Sequence, residues 1–70
     1  MWINTPESSN IKRFKYEPEF EILTVEFNYG AQYEYAGVPQ RVIDVMEKAE
    51  STGKYFNAFI KKGGYKYKKV

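Results

Sequence analysis

The chain contains no cysteine and no histidine. The first absence excludes disulfide staples and thiol nucleophiles. The second removes the side chain best suited to moving a proton near neutral pH. Together they exclude a structural zinc site, which needs thiolate or imidazole. Only carboxylates and water remain as metal ligands, and neither a metal nor another cofactor is expected. No apolar run approaches the roughly 20 residues of a membrane span. Residues Met1 to Glu7 show no basic segment followed by an apolar stretch, so no signal peptide is expected and the default address is cytoplasmic. Glu17, Glu19 and Glu21 cluster at a predicted turn, where solvent keeps carboxylates ordinary acids. A non-catalytic role is therefore expected.

Aromatic rings are abundant. One tryptophan, seven tyrosines and five phenylalanines occur in 70 residues. A single domain of this size buries a modest core, and aromatic packing or self-association is its remaining route to stability. A homo-oligomer is expected on that ground. The charge is unevenly placed. The last eleven residues, Ile60 to Val70, hold five lysines and two tyrosines; the chain up to Phe59 holds six basic and nine acidic side chains, a balance of −3. Lysines attract phosphates and tyrosine rings offer flat faces to bases. A solvated terminus would have the same composition.

Periodicity suggests an α+β fold: a three-stranded antiparallel β-meander followed by two short α-helices and a basic C-terminal tail. Residues 1–10 read as an extended lead-in, 11–62 as the domain and 63–70 as a Lys/Tyr tail. Ile11 to Glu17 alternates, with Ile11, Arg13 and Lys15 on one side and Lys12, Phe14 and Tyr16 on the other. Phe20 to Asn28 is the strongest strand, with Leu23, Val25 and Phe27 on one face. A hairpin turn around Gly30 leads to Gln32–Ala36. A two-residue loop would set Tyr33 and Tyr35 beside Thr24 and Glu26; a three-residue loop would set them on the core side. Pro39 suits a helix start, and Val42, Ile43, Met46 and Ala49 recur at helical spacing. Ser51-Thr52-Gly53 ends that helix and caps the next. There, Phe56, Phe59 and Ile60 form the apolar stripe. Lys54, Asn57 and Lys61 share the opposite face.

Three features point to a ligand. Ser51 and the free backbone N–H groups at the second helix start suggest a phosphate seat, with Lys54, Asn57 and Lys61 on the polar face; an ordinary capped helix has the same pattern. Tyr33 and Tyr35 alternate on a strand, as in a stacking platform; β-propensity alone also produces such pairs. Tyr65, Lys66, Tyr67 and Lys68 interleave rings and cations in the tail.

One longer pattern resembles a known family. Ser9-x-Ile11, Tyr16 and Leu23-x-Val25-x-Phe27 are followed by Gly30-x-x-Tyr33-x-Tyr35 and Val38-Pro39. Ala49-x-Ser51-x-Gly53-x-x-Phe56-Asn57 and Ile60 complete it. This resembles the KTSC domain, named for its place at the C-terminus of some lysyl-tRNA synthetases and found also as free-standing bacterial and phage proteins. The resemblance implies RNA binding, by association with the synthetase. It draws attention to Tyr33, Tyr35, Ser51, Gly53, Phe56 and Asn57. The chain departs from the pattern at Lys62-Gly63-Gly64, which suggests a mobile end.

The expected function is a non-catalytic binding module for a nucleotide-type ligand, with rings stacking on bases and lysines meeting phosphates. The ligand is RNA or a small signalling nucleotide. The second of these suits a phage protein that evades immunity by sequestering a cyclic nucleotide in pockets between subunits. The alternative is a protein-interaction or assembly module with no nucleotide ligand.

Overall fold

A computed structural model describes residues 2–6 and 10–70. Met1 and residues 7–9, part of the expected lead-in, lie outside the described residues. The sheet has five antiparallel strands in sequential order: β1 (Ile3–Asn4), β2 (Ile11–Glu17), β3 (Ile22–Phe27), β4 (Gln32–Tyr35) and β5 (Tyr67–Lys69). Between β4 and β5 run α1 (Gln40–Lys48), α2 (Thr52–Tyr55) and a π-helical segment, Phe56–Lys61. The α+β class and the central meander match the sequence expectation. The strand count does not: five replace three.

The two added strands come from the segments read as lead-in and tail. Ile3 pairs with Phe14 and Asn4 with Arg13. The Thr5 hydroxyl donates to the Ile11 carbonyl at 2.8 Å, which holds this end down. At the other edge, Tyr33, Glu34 and Tyr35 pair with Lys69, Lys68 and Tyr67. The Ala36 N–H donates to the Lys66 carbonyl at 2.8 Å and the Val70 N–H to the Gln32 carbonyl at 2.9 Å. An edge strand leaves backbone donors and acceptors unpaired, and β5 satisfies those of β4. Gly63 and Gly64 make this return possible instead of releasing the tail. Gly64 adopts φ 80°, and a Cβ on Gly63 would sit 2.3 Å from the Phe59 carbonyl oxygen and 2.9 Å from the Tyr65 ring.

Strict alternation in β2 is also broken. The register shifts between Ile11 and Arg13, leaving Lys12 as the extra residue of a bulge. The bulge flips the phase, so Ile11 and Phe14 both enter the core rather than opposite faces. The β3–β4 turn follows the three-residue option. The Phe27 N–H donates to Ala31 O, the Gly30 N–H donates to Phe27 O, and Gly30 takes φ 98°. Tyr33 therefore opposes Val25 and Tyr35 opposes Leu23, on the core face.

The helices cover that face alone. Leu23, Val25, Phe14 and Tyr35 pack with Val38, Ile43, Met46, Phe56 and Ile60. Tyr16 ties the sheet to the helical layer, its hydroxyl donating to the Val38 carbonyl at 2.5 Å. The expected stripe of Phe56, Phe59 and Ile60 is corrected: Phe56 and Ile60 are buried, but Phe59 is 56% exposed. The π-helix explains this. Its ladder closes five residues apart instead of four, so its turn is wider. Positions four and five residues on then flank Phe56, and Phe59 falls to the side, against Tyr55 at 4.6 Å between ring centroids.

Candidate nucleotide-binding groove

A groove of about 390 Å³ opens on the helix-covered side of the sheet, over β3 and β4 and between β5 and the π-helical segment. Its walls follow from register. Tyr33 and Tyr35 alternate along β4, and Tyr67 stands opposite Tyr35 on β5. The turn before β4 contributes Tyr29, stacked parallel on Phe27 at 5.5 Å. The π-helical segment supplies Lys61, and Asn10 closes one end.

The rings interlock. Tyr35 stacks on Tyr67 at 5.3 Å and meets the edge of Phe56 at the same distance. Phe27 sets its edge against Tyr33 at 5.7 Å. Such pairs each add roughly 0.5–1.5 kcal/mol beyond area burial. Tyr35, 4% exposed, forms the floor; Tyr29 and Tyr67, 74% and 63% exposed, form the rim.

The phenols and the ammonium here are unspent. Tyr29, Tyr33, Tyr35, Tyr67 and Lys61 have no hydrogen-bond or ion-pair partner among the described residues. Burial, and after it the neighbouring phenols of Tyr67, Tyr33 and Tyr29, pushes the Tyr35 hydroxyl above its ordinary value of 10.0. It therefore stays a proton donor throughout the physiological range. Among the described residues, the groove has no carboxylate in its lining. Phenol hydroxyls and one ammonium, facing a space of this size, suit an anion with several acceptor oxygens. The rim rings suit a planar group.

The residues expected from sequence divide among four places. Tyr33, Tyr35, Tyr67 and Lys61 meet in the groove. Lys66 and Lys68 lie across the sheet, in a second depression of about 270 Å³ with Ile22 and Glu34; the Lys68 ammonium is 3.6 Å from the Glu34 carboxylate. Tyr65 is half-buried against the core. Ser51, Lys54 and Asn57 line neither depression. Ser51 is the cap of α2, its hydroxyl accepting the Lys54 N–H at 3.3 Å, so it serves its own four-residue helix. The expected common face of Lys54, Asn57 and Lys61 assumed an α-helix. The π-turn instead carries Lys61 round toward Phe56 and the groove.

Sequence reasoning missed Asn10, Phe27 and Tyr29 as groove residues. Lys69, one of the tail lysines expected to meet phosphates, shares the face of Tyr33 and Tyr67 by alternation but does not line the groove. The signal for Tyr29 was Gly30, whose positive φ fixes the loop length that carries the ring back over Phe27.

A small two-layer α+β domain with a donor-lined aromatic groove is the class that these features define. The KTSC domain family matches residues 7–67. A lysine–tRNA ligase of Nostoc sp. is 46% identical over 65 residues, covering 93% of this chain and 11% of the ligase. A protein of Stutzerimonas stutzeri is 39% identical over 64 residues, covering 91% of this chain and 90% of its own length. The crystal structure of a KTSC domain protein from Yersinia pestis superposes with a TM-score of 0.88 at 31% identity, covering 100% of this chain and 96% of that one. The chain belongs to the KTSC domain family. It spans about one-ninth of the length of the lysine–tRNA ligase that it matches. Among the described residues, no helix is long and apolar enough to cross a membrane.

Proposed function

We propose that this chain is a non-catalytic module that binds one nucleotide unit, of RNA or of a free nucleotide, in the aromatic groove. The observation that carries this reading is the set of unpartnered phenol hydroxyls and the Lys61 ammonium around one groove with exposed rings at its rim. A base stacks on Tyr67 or Tyr29. The attached phosphate meets Lys61, with Lys69 nearby on the same face. The Nostoc relative is by name a tRNA ligase, which favours RNA as the source of that unit. Self-association is not needed to build the groove, which one chain forms.

Filter binding of a short single-stranded RNA and of free nucleotides, across a salt series, tests the proposal. Few lysines face the groove, so log K should fall with log salt at a slope of about −1 to −2. Lys61→Ala should weaken binding. Unchanged affinity in that variant, or no binding of RNA and nucleotides alike, overturns the reading.

A second reading rests on a different surface. Phe59 is exposed on the outer side of the helical layer and packs on Tyr55. Exposed aromatic pairs of this kind suit a protein-assembly role. Phe59→Ser that abolishes a stable complex while leaving RNA binding intact would favour it.

A further inference from the structure

The groove is not uniform from rim to floor, and this gives a bound ligand a direction. The rim offers ring faces: Tyr29 and Tyr67 are the most exposed of its aromatics. The floor offers donors. Tyr35 is almost wholly buried, its ring held between Tyr67 and the edge of Phe56, yet its hydroxyl has no protein partner among the described residues. Among the described residues the one buried side-chain polar atom without a partner is Thr24 Oγ1, so the Tyr35 hydroxyl opens to the groove and is free to donate to a ligand atom.

The kind of atom follows from the neighbours. Tyr33, Tyr35, Tyr67 and Lys61 can all donate, and among the described residues the lining holds no carboxylate. The core rings Phe27 and Phe56 back the floor, so a chain that enters the groove has no exit beneath it. An internal phosphodiester presents two free oxygens, and its chain must continue in both directions. A terminal phosphomonoester presents three oxygens and a charge of about −1.5 to −2 near neutral pH. It fits a donor-rich dead end better on both counts.

We propose that the groove recognises the phosphorylated end of a nucleotide or oligonucleotide, with the terminal phosphate on Tyr35 and Lys61 and the first base at the Tyr29–Tyr67 rim. This rests on the nucleotide-binding reading above and adds a direction and an end-group to it. The phosphate lies at the floor, the sugar points out and any further chain leaves over β5.

The test uses one short RNA sequence in three forms: hydroxyl at both ends, phosphate at the 5′ end and phosphate at the 3′ end. Binding to the full chain is measured for each by fluorescence anisotropy. At least one phosphorylated form should bind about tenfold more tightly than the hydroxyl form, and which one does identifies the end. Tyr35→Phe keeps the ring and removes the floor hydroxyl. It should shrink that ratio toward one without lowering the thermal midpoint, since the buried ring is kept. Equal binding of all three forms overturns the end-recognition proposal and leaves nucleotide binding standing. A preserved ratio in Tyr35→Phe also overturns it. No binding of any form overturns both.

Discussion

Three cations on the uncovered face of the sheet have an answer close by, and Lys66 beside them has no side-chain partner among the described residues. Arg13 pairs with Glu26 and lies 4.2 Å above the Trp2 ring, Lys15 shares that ring at 5.0 Å, and Lys68 sits 3.6 Å from Glu34. On the helix-covered face, Lys61 and the phenols of the groove have none among the described residues. The difference separates charges that organise the sheet from those that are available to a ligand. Lysine content alone does not reveal it, because the same tail strand sends Lys68 to one face and Tyr67 and Lys69 to the other. Position within a two-residue repeat decides which lysine is spent.

The comparison breaks most severely if β5 is displaced, because β5 contributes to both faces. Gly63→Ala would press a Cβ into the Phe59 carbonyl and the Tyr65 ring. We expect a loss of about 2 kcal/mol in urea denaturation. Faster amide exchange in β5 and weaker nucleotide binding should accompany it. A stability equal to the parent would show that the Gly63 turn does not hold the strand.

Paired lysine variants sharpen the contrast between the faces. Lys61→Ala should weaken RNA binding about tenfold, the scale of one charge-assisted hydrogen bond. Lys68→Ala should change it by less than about twofold, since its ammonium serves Glu34 on the other face. Isothermal titration of both variants checks the ratio; equal losses would erase the distinction.

Alkaline titration probes the links between sheet and helices. Tyr16 and Tyr35 are both held above the ordinary phenol value of 10.0, in each case chiefly by burial. For Tyr16, the carboxylates of Glu21 and Asp44 add to the effect. The unfolded chain releases these protons near pH 10 while the folded chain still holds them. Their contribution is therefore complete below pH 10 and is lost as pH rises through the folded values. Denaturation midpoints should fall above pH 10, and less steeply in Tyr16→Phe.

The smallest effect belongs to the exposed ion pair. Lys68→Ala should alter stability by no more than a few tenths of a kcal/mol, as exposed pairs do. A loss above about 1 kcal/mol in thermal melts would mean that the pair helps to hold β5.

Much of this was legible in the residues, and what escaped has physical causes. Alternating Leu23, Val25 and Phe27 identified the central strand, and Ser51 was correctly read as a cap. Tyr33, Tyr35, Tyr67 and Lys61, four of the expected binding residues, converge in the groove. The strands Ile3–Asn4 and Tyr67–Lys69 are too short to show a period of their own and depend on an edge already present. The bulge at Lys12 and the π-turn at Phe56–Lys61 each shift a repeat by one residue. No residue type announces such a shift, because tertiary packing selects it. Each upset a facing assignment: Ile11 joined Phe14 in the core, Phe59 went out, and Lys61 parted from Lys54 and Asn57.

A π-turn differs from an α-turn by one inserted residue. Deleting Ala58 would return the ladder to its usual pitch and swing Lys61 by about 100° around the axis. One added codon is thus enough to bring the ammonium to the groove. An insertion or deletion between Phe56 and Lys61 would therefore move this ammonium further than any substitution there.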